Sequence, residues 1–128
     1  MEYELEYPDG PFDFVVTTSG VASVGVFTEL NEAIRSDARI VDGANMLFDH
    51  SRLDMSGLSA EQIRAIADNT GGEYQGRGGR IAIVVPAPVA FGLARMWQAM
   101  TGEQISARSC VVDSVEAAYA WIEHSADG

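Results

Sequence analysis

Residues 80–101 read RIAIVVPAPVAFGLARMWQAMT, and this stretch decides the fold. Ile81 to Val85 is an unbroken apolar run rich in β-branched residues, the pattern of a strand buried on both faces. Pro86 and Pro88 end it, because proline has no N–H to give to a sheet ladder. Pro88 then suits the first turn of a helix, where the missing N–H is no loss. Beyond it, Val89, Leu93, Met96, Trp97 and Met100 recur at helical spacing and form one wide apolar face. A core strand feeding an amphipathic helix is half of a βαβ unit, so the chain is expected to be α/β.

Working outward, Tyr3, Leu5 and Tyr7 alternate with Glu2, Glu4 and Glu6, which predicts a half-exposed edge strand. Pro8-Asp9-Gly10-Pro11 is turn chemistry, and Phe12 to Ser19 is a second strand, joined to the first as an antiparallel hairpin. From Ser23 the period changes. Val26, Phe27, Leu30, Ala33 and Ile34 mark a helix that fades near Ser36-Asp37, with Thr28, Glu29, Asn31, Glu32 and Arg35 toward water. Asn45 to Asp49 is a short strand, and His50 to Gly57 reads as loop. Ser59-Ala60-Glu61-Gln62 is a capping box that opens a helix, which Asn69-Thr70-Gly71-Gly72 should close. Glu73 to Gly79 is a glycine-rich connection into the central strand. After Gly102, residues 105–112 (ISARSCVV) form the last strand, and Asp113-Ser114-Val115-Glu116 opens the last helix with Asp113 at the N-cap. Val115, Ala118, Tyr119 and Ile122 form its buried face, and His124 to Gly128 should fray.

The order is therefore β-β-α-β-α-β-α-β-α in a single domain, residues 1–128. It implies a mixed five-stranded sheet with an antiparallel N-terminal strand, later strands parallel, and four flanking helices. The 128 residues suffice for one core, and 47% hydrophobic with 21% charged residues is ordinary globular composition. No apolar run reaches the ~20 residues that span a bilayer, so stable membrane insertion is not expected. The acidic start lacks the basic and apolar regions of a signal peptide, and the single cysteine, Cys110, suits a reducing cytoplasm. The formal net charge is −11, and all eight cationic residues are arginine. Without a basic patch such a chain repels phosphate backbones, which argues against nucleic acid as partner.

In open α/β sheets ligand groups gather beyond the carboxyl ends of the parallel strands. That rule selects Asp49, His50, Ser51, Arg52, Asp54 and Ser56 in the segment after the third strand. It adds Pro86 and Ala87 after the fourth strand and Asp113 after the fifth. The competing reading of Asp49 and Ser51 is ordinary turn hydrogen bonding, with His50 simply exposed. Asp49, His50 and Ser51 have the residue types of a hydrolytic triad, but strand neighbours point to opposite faces and cannot form the relay. Gly76-Arg77-Gly78-Gly79 leads into a strand rather than a helix, so it is not a phosphate loop. Two distant histidines and a lone cysteine provide no transition-metal spacing. Cys110 itself, among apolar neighbours, reads as a small core residue rather than a nucleophile. No cofactor and no catalytic residue is assigned.

Several phrases resemble the STAS-like family, the SpoIIAA-like fold of anti-sigma-factor antagonists, in its bacterial STAS/SEC14-type branch. They are Leu47-Phe48-Asp49, Arg80 to Val85, Phe91-Gly92-Leu93-Ala94-Arg95-Met96, and Val112 to Ile122. The resemblance implies a cytoplasmic regulatory or protein-interaction module without enzymatic activity. In regulatory members a serine at the start of the second helix is phosphorylated, which makes Ser56 the leading candidate here and Ser51 the second. The gap between Asp49-His50-Ser51 and Ser56-Gly57-Leu58 is shorter than in those regulators, and Met55-Ser56 replaces their paired serine. The SEC14-type likeness implies an alternative, a small apolar-ligand or lipid-binding protein. An enzyme using Asp49 and His50 as acid and base is the third reading. The implied partners are a protein or a small apolar ligand, and a homodimer is compatible with the reading.

Overall fold

The computed structural model describes the backbone of residues 1–74, 79–86, 88–101 and 107–126, and the side chains of 1–69, 79–86, 90–101 and 107–124. Along the chain lie β1 (Glu2–Glu6), β2 (Phe14–Val21), α1 (Val24–Ser36), β3 (Met46–Asp54) and α2 (Ala60–Tyr74). These are followed by β4 (Ile81–Val84), α3 (Pro88–Met100), β5 (Ser109–Val112) and α4 (Val115–Ala126). The fold is α/β, in the order that the hydrophobic periods predict. One five-stranded sheet runs β1-β2-β3-β4-β5. β1 is antiparallel to β2, and the remaining neighbours are parallel.

The sheet carries an apolar layer on each face. Phe14, Val16, Met46, Phe48, Ile81 and Ile83 pack with Leu30 and Ile34 of α1, Ile63 and Ile66 of α2, and Ala90 and Ala94 of α3. The alternate residues Leu47, Ala82 and Val84 pack on the opposite face with Phe12 and with Ala118 and Ile122 of α4. Three helices on one side and one on the other follow from strands laid down in sequential order, because each right-handed crossover returns on the same side. β4 is buried along its whole length, which is why its sequence is an apolar run rather than an alternation. β1 is an edge: Glu2, Glu4 and Glu6 are exposed, while Tyr3, Leu5 and Tyr7 pack on the core.

The amino ends of three strands are tied by one side chain. Asn45 Nδ2 donates to the Pro11 carbonyl at 3.1 Å, and its Oδ1 accepts the Arg80 N–H at 3.0 Å. Its backbone N–H donates to Asp13 Oδ2 at 2.7 Å. Beside it Gly79 runs so close to the segment before β3 that a Cβ there would lie 1.8 Å from the Ala44 carbonyl oxygen. The capping box of α2 forms as expected: Gln62 N–H donates to Ser59 Oγ at 3.2 Å, and Ser59 N–H donates to Gln62 Oε1 at 2.9 Å.

Five local expectations are corrected. β3 does not stop at Asp49; it continues through His50 to Asp54, because β2 is long enough to pair with it as far as Val21. α2 continues through Gly71 and Gly72 to Tyr74, since glycine permits a helix end without imposing one. β5 begins at Ser109, and residues 107–108 form a turn; residues 105–106 lie outside the described residues. The N-cap of α4 is Ser114, whose Oγ accepts the Ala117 N–H at 3.1 Å, not Asp113. Asn31 is not on the water face of α1: it is 4% exposed, and its Nδ2 donates to Asn69 Oδ1 of α2 at 2.6 Å. A buried amide is tolerated there because its partner comes from the facing helix.

Candidate functional site

Val16 and Phe48 are neighbours in the parallel β2–β3 pair, and both face the three-helix side. Two residues further on, the same alternation carries Thr18 and His50 to that side. Both are buried, at 1% and 6% exposure. Between Thr17 and Ser19 the register shifts, because β3 advances three positions, from Asp49 to Arg52, where β2 advances two. This bulge at His50-Ser51 re-aims the strand and lets Leu53 return to the core.

Thr18 Oγ1 lies 2.7 Å from His50 Nδ1 and donates to the Asp49 carbonyl at 3.3 Å. A hydroxyl has one proton. When that proton goes to the carbonyl, Nδ1 carries the ring hydrogen and donates to Thr18, and Nε2 is then an unprotonated acceptor; when it goes to Nδ1 the ring hydrogen sits on Nε2. Phe27 meets the ring edge-on at 5.7 Å, and Phe48 lies tilted at 6.0 Å. Burial pushes the imidazole down to about 4, against the weaker opposing pull of the Asp49 carboxylate, so His50 is neutral at neutral pH.

His50 borders a pocket between the sheet and the three helices. The sheet contributes Phe48 and Ile83, α1 Phe27, α2 Ile63, and α3 Trp97, while Met55 and Leu58 come from the turn before α2. Its free volume is about 50 Å³. The lining is apolar apart from His50, Asn31 and the indole N–H of Trp97, and the Asn31 amide is engaged by Asn69. A mostly apolar lining with few polar groups is a feature that this small pocket shares with small-molecule sites.

The residues selected from the sequence do not converge. Among those that lie within the described residues, only His50 lines the pocket. Asp49 follows Leu47 in the alternation and so belongs to the opposite face; its Oδ1 accepts the Ser51 N–H at 3.0 Å. Ser51, Arg52 and Asp54 are exposed on the last part of β3, where β2 is the paired neighbour. Ser56 is exposed on the turn, with its Oγ donating to Asp54 Oδ1 at 2.6 Å and its N–H to the same oxygen at 3.0 Å. Those two bonds hold the Asp54 carboxyl below its usual range. Ser56 precedes the N-cap, Ser59, by three residues, so it is not itself at the helix start. Pro86 and Asp113 are exposed at the ends of β4 and β5, on the rim that the parallel strands define. Ala87 lies outside the described residues.

Thr18 and Asn31 were not selected from the sequence. Thr18 had a readable signal, since Phe14, Val16 and Thr18 keep one period of two. Asn31 had none: a polar residue beside an apolar stripe looks solvated until the neighbouring helix is in place. Among the described residues no group of three His, Cys, Asp or Glu side chains is placed to hold a metal ion, and no helix is long and apolar enough to cross a membrane. No protein-family description matches the chain, and comparison with curated proteins gives no match either.

Proposed function

We propose that this chain is a non-catalytic α/β module that holds a small, largely apolar ligand between its sheet and its first three helices. The observation that supports the reading is the apolar pocket beside a buried, neutral His50. Free space of about 50 Å³ in a core costs on the order of 1 kcal/mol, at roughly 24 cal/mol per Å³. A ligand that fills it recovers that loss and adds contact with polarizable side chains such as Met55 and Trp97. Native mass spectrometry of freshly purified protein, with thermal-shift measurements against small apolar compounds, tests the reading. A ligand-free spectrum together with no shift for any compound rejects it.

A second reading, the regulatory and protein-interaction module, is favoured by one observation. The exposed Ser56 hydroxyl sits on the turn whose flanking residues Met55 and Leu58 are walls of the pocket. A phosphate on Ser56 adds about −1.5 to −2 charges within reach of Asp54 and breaks the bond between them. The turn is then displaced, and with it one side of the pocket. Incubation with cell lysate and ATP, followed by intact-mass analysis, tests this, and absence of phosphate from Ser56 and Ser51 counts against it.

A further inference from the structure

We infer that the ligand of this pocket is a neutral, mostly apolar molecule carrying one hydrogen-bond donor, a hydroxyl or an N–H, which it delivers to His50 Nε2. The inference rests on the proposed ligand-holding function and specifies its chemistry. Nδ1 is committed to Thr18 at 2.7 Å, and Nε2 has no partner among the described residues. No fully buried side-chain nitrogen or oxygen among those residues is left unpaired. Nε2 is therefore unpaired because it looks into free space, on a residue that is 94% buried and lines the pocket. With the ring proton on Nδ1, Nε2 offers a lone pair. It accepts from O–H or N–H and repels a carboxylate or phosphate oxygen. Of the other polar groups of the lining, Asn31 is turned to Asn69, and the Trp97 indole N–H is a donor that cannot replace Nε2 as acceptor. Apart from the Trp97 indole N–H, the walls around that contact present apolar surface.

Size sharpens the class. The free volume is about a third of the ~150 Å³ that encloses a benzene ring in an engineered cavity. A guest of ring size must therefore lie partly in the mouth or displace Met55, whose unbranched side chain adapts readily. Phenol and toluene have nearly the same shape and differ in the donor, so the pair isolates the hydrogen bond.

The test is binding of phenol, toluene and benzoate to the full chain, read by ligand-observed NMR and by ring-nitrogen shifts of His50 in ¹⁵N-labelled protein. Phenol is expected to bind about tenfold more tightly than toluene, the value of one hydrogen bond to an otherwise unpaired acceptor. Benzoate is expected to bind least. In His50→Leu the phenol preference should fall to about onefold. Should that variant not fold, the wild-type spectrum decides: Nδ1 is the protonated nitrogen, and Nε2 shifts on adding phenol but not toluene. Equal binding of phenol and toluene, or a protonated Nε2, overturns the donor inference while leaving an apolar-ligand function standing. Failure of all three compounds to bind or to shift any pocket resonance overturns both.

Discussion

Acidification should destabilise this protein through His50, beginning above pH 5. Burial holds the folded imidazole at about 4, whereas the unfolded ring titrates at its ordinary 6.5. Between these values the unfolded chain binds a proton that the folded chain refuses, so stability is complete above pH 6.5 and is lost as pH falls toward 4. Over the window from pH 7.5 to 5.0 the loss integrates to about 2 kcal/mol, rising to about 3 kcal/mol below pH 4. The window ends at 5.0 by design. Asp54 has an ordinary value of 3.8 and is held lower in the fold, so its contribution is untouched there. The comparison is with His50→Gln, which does not titrate at this position. The net charge of −11 and the second histidine, His124, are common to both proteins and cancel. Urea unfolding followed by circular dichroism at four pH values gives the two profiles. The wild type should lose about 2 kcal/mol more than the variant across the window. Profiles that run parallel to within about 0.5 kcal/mol would show that the ring is solvated, and with it the pocket assignment would fall.

Three further outcomes are expected. Thr18→Val leaves His50 Nδ1 without its hydrogen-bond partner and should cost roughly 1–3 kcal/mol by denaturant unfolding, while Thr18→Ser keeps the hydroxyl and should cost less than half of that. Gly79→Ala places a methyl group 1.8 Å from the Ala44 oxygen and 2.6 Å from its carbonyl carbon; backbone cannot yield as a side chain does, so a loss of about 2 kcal/mol or more is expected in the same assay. Ala94→Val puts two methyl groups into the pocket from α3. The filled volume should offset the ~0.5 kcal/mol helix-propensity cost, leaving stability nearly unchanged while abolishing phenol binding in the NMR titration.

Element types were readable wherever one local cause dominated. The Ile81–Val84 run, the Tyr3/Leu5/Tyr7 alternation and the Ser59–Gln62 capping box each state their structure within a few residues, because burial periodicity and cap chemistry are local. Element ends were harder. Asp49-His50-Ser51 has the composition of a loop, yet β2 offers backbone partners as far as Val21, and unmet ladder bonds outweigh weak residue preference. The N-cap at Ser114 rather than Asp113 is a one-residue matter that only the actual backbone resolves.

By itself the sequence determined an α/β chain with parallel later strands, since hydrophobic period and turn chemistry act over a handful of residues. It also selected His50 as one of several candidate residues. Only the tertiary structure decided that His50 faces inward onto Thr18 and an apolar pocket, while Asp49 goes to the other face and Asn31 turns in to meet Asn69. Those outcomes depend on sheet register, a one-residue bulge and the approach of helices distant in sequence. A side chain's environment comes from neighbours that local sequence does not name.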